Sequence, residues 1–131
     1  MKSDIRSNED VYFLVHAFYE RALVDPLIGE YFTKVVKLDF DIHLPKISEF
    51  WISVLFGNGN YQGNPIIKHI ELHQKKSLGL DEFERWLKLW KQTINAHYSG
   101  PIAEAAKLKA DTMAQLMLIK IDNSQKSGFI Q

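Results

Sequence analysis

The apolar residues of this chain recur at intervals of three and four in almost every segment, and no run alternates at the period of two that a strand requires. Val11, Leu14, Val15, Phe18, Ala22 and Leu23 form one helical stripe. His43, Ile47, Phe50, Trp51, Val54 and Leu55 form another, and Phe83, Trp86, Leu87, Trp90 and Ile94 a third. A last helix groups Ala106, Ala110, Met113, Leu116 and Met117. A stripe on each of several helices is enough to build one packed core, so the pattern predicts an all-α fold.

The boundaries are written in capping and breaking residues. Ser7 with Asp10 three positions later predicts a helix start, and Asp25-Pro26 is expected to end that helix. A short segment over 27–32 follows. Asp39 to Asp41 opens the next helix, with Pro45 placed in its first turn. Gly57-Asn58-Gly59-Asn60 breaks it, and a loop runs to Gly63. Asn64-Pro65 reads as N-cap and first residue of a short helix that fades before Ser77. Asp81 is expected to cap the following helix, and Ser99-Gly100-Pro101 separates it from the last. Residues 124–131 read as a frayed tail.

Composition narrows the chemistry. At 131 residues the chain suits a single domain over 1–131, with its core at about 8–122. It has no cysteine, which excludes disulfides, thiolate nucleophiles, cysteine zinc sites and iron–sulfur clusters. Sixteen Lys and Arg balance sixteen Asp and Glu, so there is no basic footprint for nucleic acid or an anionic membrane. The longest apolar run, Trp51 to Phe56, is far shorter than a membrane span, and Met1 to Asp10 does not read as a secretory signal. The expectation is a soluble cytoplasmic protein.

Three features ask for more than packing: His43 on an apolar face, His69 flanked by isoleucines, and polar aromatics (Tyr19, Trp51, Trp86, Trp90) on interior stripes. A hydrogen-bonded core histidine and an ordinary aromatic core are the plain readings. Zinc is poorly served: His69 and His73 have helical spacing, but no third ligand is evident. A Gly-x-Ser-x-Gly elbow and a phosphate loop are both missing. A helix-turn-helix DNA binder is disfavoured by the balanced charge. Haem fits best, because it asks for one axial imidazole, a large apolar pocket and polar groups on the distal side. His16 and His97 are expected at helix boundaries or the surface.

The combination Phe18-Tyr19-Glu20, His43-x-x-Lys46-Ile47-x-x-Phe50-Trp51, Leu55-x-Gly57-x-Gly59-x-Tyr61-x-Gly63-x-Pro65, Lys68-His69 and Phe83-x-x-Trp86-Leu87 resembles the truncated haemoglobins, specifically their third group. The likeness runs from about Val11 to Met117. It implies a two-on-two helical sandwich around haem b. It also implies that His69 is the proximal ligand and sole protein metal ligand. Tyr19, His43, Ile47 and Trp86 would form the distal pocket, and Phe50, Trp51 and Phe83 would pack near the ring. Lys46 would face a propionate. The segment over 72–80 is longer than usual for the family and holds His73, a rival axial histidine; Pro65 and Lys68 set the register in favour of His69.

The resemblance further implies binding of a diatomic gas (dioxygen, nitric oxide or carbon monoxide). Strong distal donors favour slow release, hence redox chemistry or detoxification over transport, as a nitric oxide dioxygenase or peroxidase-like activity served by an unidentified reductase. The alternatives are a haem-based gas sensor or carrier without turnover, and a cofactor-free helical interaction module.

Overall fold

The computed structural model describes residues 1–57, 61 and 63–125. Five α-helices follow one another: α1 (Asn8–Ala22), α2 (Phe40–Phe56), α3 (Pro65–Lys75), α4 (Leu80–His97) and α5 (Pro101–Gln125). A π-helical segment, Tyr31–Val35, lies between α1 and α2. Among the described residues there is no strand, and no helix is long and apolar enough to cross a membrane.

Helix α1 begins where its cap predicts. The Ser7 hydroxyl accepts from the Asp10 N–H at 3.2 Å. The Asp10 carboxylate reaches back to the N–H of Arg6. The buried face is the expected stripe, widened by Ala17 and Tyr19. The helix stops at Ala22, before Asp25-Pro26. Asp25 acts instead on the turn that follows. Its carboxylate accepts the Leu27 and Ile28 N–H groups at 3.0 and 3.1 Å and pairs with Arg85 of α4. It shapes the entry to the π-helical segment, an Asx turn by mechanism.

Asp39 caps α2 by accepting from Asp41 N, and Gly57 closes it in the left-handed region at φ 74°. Pro45 lies in the second turn, not the first. The missing N–H leaves the Asp41 carbonyl without its helical donor at a half-exposed stretch, where water can serve instead. Asn64 caps α3 by accepting from Ile66 N and Ile67 N, with Pro65 first in the helix, as expected. Of the Gly57–Gly63 turn, residues 58–60 and 62 lie outside the described residues.

The cap expected at Asp81 is two residues earlier. Helix α4 starts at Leu80, and Glu82 accepts the Gly79 N–H at 2.7 Å. The side chain that satisfies the terminus therefore comes from inside the helix. On α5 the buried face is Ala103, Ala106, Ala110, Ala114, Met117 and Ile121, while Leu116 is 41% exposed. Small alanines let α5 come close, which moves the contact face off Leu116. Helix α5 runs to Gln125, and residues 126–131, most of the expected tail, lie outside the described residues.

Helices α1 and α2 pack on each other, as do α4 and α5. The two pairs meet through α1 with α4 and α2 with α5, and α3 rests on α5. This is a sandwich of two helices on two. Its centre holds Leu14, Val15, Ile52, Trp90 and Ile94, all fully buried.

A distant residue closes the sandwich. The Asp4 carboxylate accepts the Ile102 and Ala103 N–H groups at the start of α5, at 2.9 and 2.8 Å. Gly100 sits beneath it at φ 146°, where a Cβ would lie 2.5 Å from the Asp4 carboxyl carbon. Partial burial opposes the Asp4 charge, yet the hydrogen bonds from Ile102, Ala103 and Ile5 and the nearby Arg6 prevail and hold its carboxyl below the ordinary value. Asp4→Ala should cost about 1 kcal/mol in urea denaturation at neutral pH, as for a lost N-cap. The lowered pKa means this contribution is present above the unfolded value and fades as pH falls through the folded one, so the gap between the two proteins should close in acid.

Candidate functional site

A cavity of about 600 Å³ opens among α1, the π-helical segment, α2, α3 and α4, with α5 contributing Met113, Ala114 and Met117. That size lies within the roughly 300–1,000 Å³ of small-molecule sites. Every site residue singled out in the sequence lines it: Tyr19, His43, Lys46, Ile47, Phe50, Trp51, His69, Phe83 and Trp86. They come from four helices, and the tertiary fold brings them together.

One group gathers around Tyr19. Its hydroxyl lies 2.9 Å from His43 Nε2, so the His43 ring turns inward. The Tyr19 ring stands edge-on to Phe18, Phe32 and Phe40 at 5.2, 5.3 and 5.6 Å. Burial pushes the Tyr19 phenol far above its ordinary value. Burial, Lys46 and His69 together lower the pKa of His43, so its ring stays neutral near pH 7. Phe32 and Phe40 are not singled out by the sequence pattern. They flank helix breaks rather than stripes, and the visible signal is only that aromatic residues sit at both ends of the 32–40 connection.

A second group surrounds His69. Its Nδ1 lies 2.6 Å from the Pro65 carbonyl one turn earlier. A carbonyl oxygen only accepts, so Nδ1 carries the proton and Nε2 keeps its lone pair. Burial lowers the pKa of His69 more than the Pro65 hydrogen bond raises it, which keeps the ring neutral. Phe83 of α4 lies 6.1 Å from the imidazole, tilted by 36°. Phe50 stands edge-on to Trp51 and to Tyr61.

His73 goes elsewhere. It lies outside the cavity lining, and its Nδ1 accepts the Leu78 N–H at 2.8 Å. It folds the 72–80 turn back on α3. Lys76 of that turn pairs with Glu30 and lies over the Tyr31 ring, and the Tyr31 hydroxyl donates to the Ser77 carbonyl. The long segment is thereby pinned to the π-helical segment. His16 and His97 are exposed, His97 edge-on to Phe13 at 4.9 Å.

Comparison with known proteins places this arrangement. The chain is 30% identical over 126 residues to the group 3 truncated hemoglobin ctb of Campylobacter jejuni, covering 92% of this chain and 97% of that protein. It belongs to the group 3 truncated haemoglobins. A solved group III truncated hemoglobin from Campylobacter jejuni superposes with a TM-score of 0.82 at 27% identity, over 92% of this chain and 95% of that one. No family model matches.

Globins of this kind hold haem, and the residues present fit one. The cavity is broad and mostly aromatic or aliphatic. Among the described residues no three His, Cys, Asp or Glu side chains gather as a metal site. A lone neutral imidazole suits a metal that arrives with its other ligands in a macrocycle. The hydrogen bond from Nδ1 to a carbonyl orients that imidazole.

In the apoglobin, the His43 imidazole should titrate below 6.5 in an NMR pH series. Its depressed folded pKa means that apoglobin stability falls as pH drops through that region, and His43→Phe should reduce this slope, leaving the part that the similarly depressed His69 contributes. A His43 titrating at or above the ordinary value would contradict the burial described.

Proposed function

We propose that the cavity holds haem b with His69 Nε2 as the protein ligand to its iron, and that this single globin domain binds a diatomic gas there: dioxygen, nitric oxide or carbon monoxide. The observation that carries this reading is the pairing, in one apolar cavity, of an imidazole with its Nε2 lone pair free and a hydrogen-bonded Tyr19–His43 pair. Haem, when bound, supplies an iron with one open coordination position for the gas.

The remaining chemistry belongs to the chain. Two arrangements of the Tyr19–His43 bond exist. If the Tyr19 hydroxyl donates to His43, it has no proton to offer the ligand. If His43 carries its proton on Nε2 and donates to Tyr19, the phenol O–H is free to point into the cavity. The lowered pKa of His43 keeps both neutral tautomers available without adding a cation. A polar ligand therefore selects the second arrangement, and His43 positions Tyr19 as donor. Trp86, a donor through its indole N–H, supplies the second hydrogen bond.

Aromatic walls keep water away from these donors, which strengthens them for a partially charged ligand. Ile47 fills apolar space beside His43. Phe50, Trp51 and Phe83 pack against the macrocycle, and Lys46, exposed at the rim, faces a propionate. Each donor is worth roughly 0.5–1.5 kcal/mol net, more toward a charged acceptor. Two of them slow release by roughly tenfold to a hundredfold. Slow release suits oxidation of nitric oxide or reduction of peroxide, with electrons from a reductase, better than delivery of gas.

Purified protein reconstituted with haem should show a Soret band and distinct ferric, ferrous and carbonyl spectra. His69→Ala should lose the histidine-ligated spectrum while His73→Ala keeps it; the reverse would make His73 the ligand. Tyr19→Phe should speed dioxygen dissociation by about fivefold to tenfold in flash photolysis or stopped flow. No change there would remove Tyr19 from the ligand's surroundings.

A further inference from the structure

The chain has three tryptophans, and all three stand in one stack on the cavity wall. Trp86 and Trp90 lie one turn apart on α4, their rings 6.0 Å apart and within 8° of parallel. Trp51 of α2 lies against Trp90, at 4.6 Å and 26°. Packing does not demand this. Aromatic neighbours settle equally well edge-to-face, and the surrounding pairs do so: Phe18 meets Trp86 at 72° and Trp90 at 80°.

Near-parallel indoles have a property that edge-on rings lack. When one loses an electron, its neighbours share the positive charge, which makes the electron easier to remove. In a chain without cysteine, indoles and phenols are the side chains most readily oxidised by one electron. They differ in the proton. A phenol must shed its proton as it is oxidised, whereas an indole cation keeps its N–H unless a base stands beside it. Trp90 Nε1 donates to the Ala106 carbonyl at 3.3 Å, and a carbonyl is too weak a base to take that proton. Trp90 and Trp51 are 1% and 2% exposed, so an indole cation there is shielded from bulk water.

We propose that Trp86, Trp90 and Trp51 form a one-electron reservoir for the haem site, supplying the second electron when the globin reacts with a hydroperoxide. This rests on the haem reading above. The balance is simple for hydrogen peroxide. Its O–O bond breaks, and one oxygen leaves as water carrying both protons. Both oxygens pass from the peroxide to the oxide level, which takes one electron each; haem iron, when bound, would supply one of the two and the indole stack the other. The stack is left as an indole cation. The proton that must pass from one oxygen to the other travels through the Tyr19–His43 pair. A later electron from a reductase restores the stack.

The test uses holoprotein grown with ring-deuterated tryptophan, mixed with hydrogen peroxide, frozen within the first turnover and read by electron paramagnetic resonance. Because the chain's only tryptophans are those of the stack, the label reports on the stack alone. The expected result is an organic radical whose line narrows with deuterated tryptophan and not with deuterated tyrosine. Trp90→Phe should lose most of that signal, and Trp86→Phe, at a less buried position, should weaken it. A radical that responds only to the tyrosine label, or none at all while the Soret band is intact, overturns the reservoir and leaves the haem reading standing. Absence of a Soret band overturns both. The apoprotein offers a readout that needs no haem: coupled indoles should give a paired far-ultraviolet circular dichroism signal of opposite signs that Trp90→Phe abolishes. If the unaltered chain lacks this signal, the stack does not exist in solution.

Discussion

The hydrogen bond from His69 Nδ1 to the Pro65 carbonyl is a local contact with long-range consequences. It exists because Asn64 caps α3 and Pro65 is its first residue, which puts a carbonyl one turn before the histidine. A proline there sacrifices nothing, since its N–H would be unpaired in any case. The bond holds the ring proton on Nδ1 and leaves Nε2 with its lone pair in a residue that lines the cavity. The rest of the fold then has to keep an apolar space beside that nitrogen. Helices α1, α2 and α4 do so by lining the cavity with large rings that brace one another, edge-on around Tyr19 and stacked along Trp86, Trp90 and Trp51.

Inside such a space polar groups are costly unless paired. Tyr19 and His43 meet that cost by pairing with each other. Pairing also makes them interdependent, because the His43 tautomer decides whether the phenol proton is given to its partner or left to the cavity. The pair is drawn from α1 and α2, the two helices that pack on each other, so their spacing is held by the Val15, Trp51 and Ile52 core rather than by a loop. A mobile connection would hold it less well.

The segment between α3 and α4 shows how a long connection is made part of the scaffold. Four interactions pin it: His73 to the Leu78 N–H, Lys76 to Glu30, Lys76 over Tyr31, and the Tyr31 hydroxyl to the Ser77 carbonyl. The exposed ion pair contributes little by itself. Together they tie the end of the His69 helix to the π-helical segment, whose Tyr31 and Phe32 also line the cavity.

Stripes, caps and breakers are local, and they are legible in the sequence. Ser7, Asp39 and Asn64 cap the helices that the pattern assigns them, because an N-cap bond spans only two or three residues. The family is legible too, since its motifs sit at fixed spacing along α2, α3 and α4. Differences arise where a second element competes for a residue. Asp25 reads as a helix stop, yet it serves the next turn and Arg85; Asp81 reads as a cap, yet Glu82 fills that role; Leu116 reads as core, yet alanines let α5 approach on another face. Sequence by itself determined the helices, most of their apolar faces and the histidine with a carbonyl one turn behind it, because each depends on residues within a few turns. Tertiary structure alone decided that His43 turns inward to Tyr19, that His73 serves a loop, that Asp4 caps a helix 98 residues away, and that three indoles stand near parallel. Those outcomes depend on packing between elements distant in the chain, and spacing along a sequence carries no information about the angle at which two helices meet.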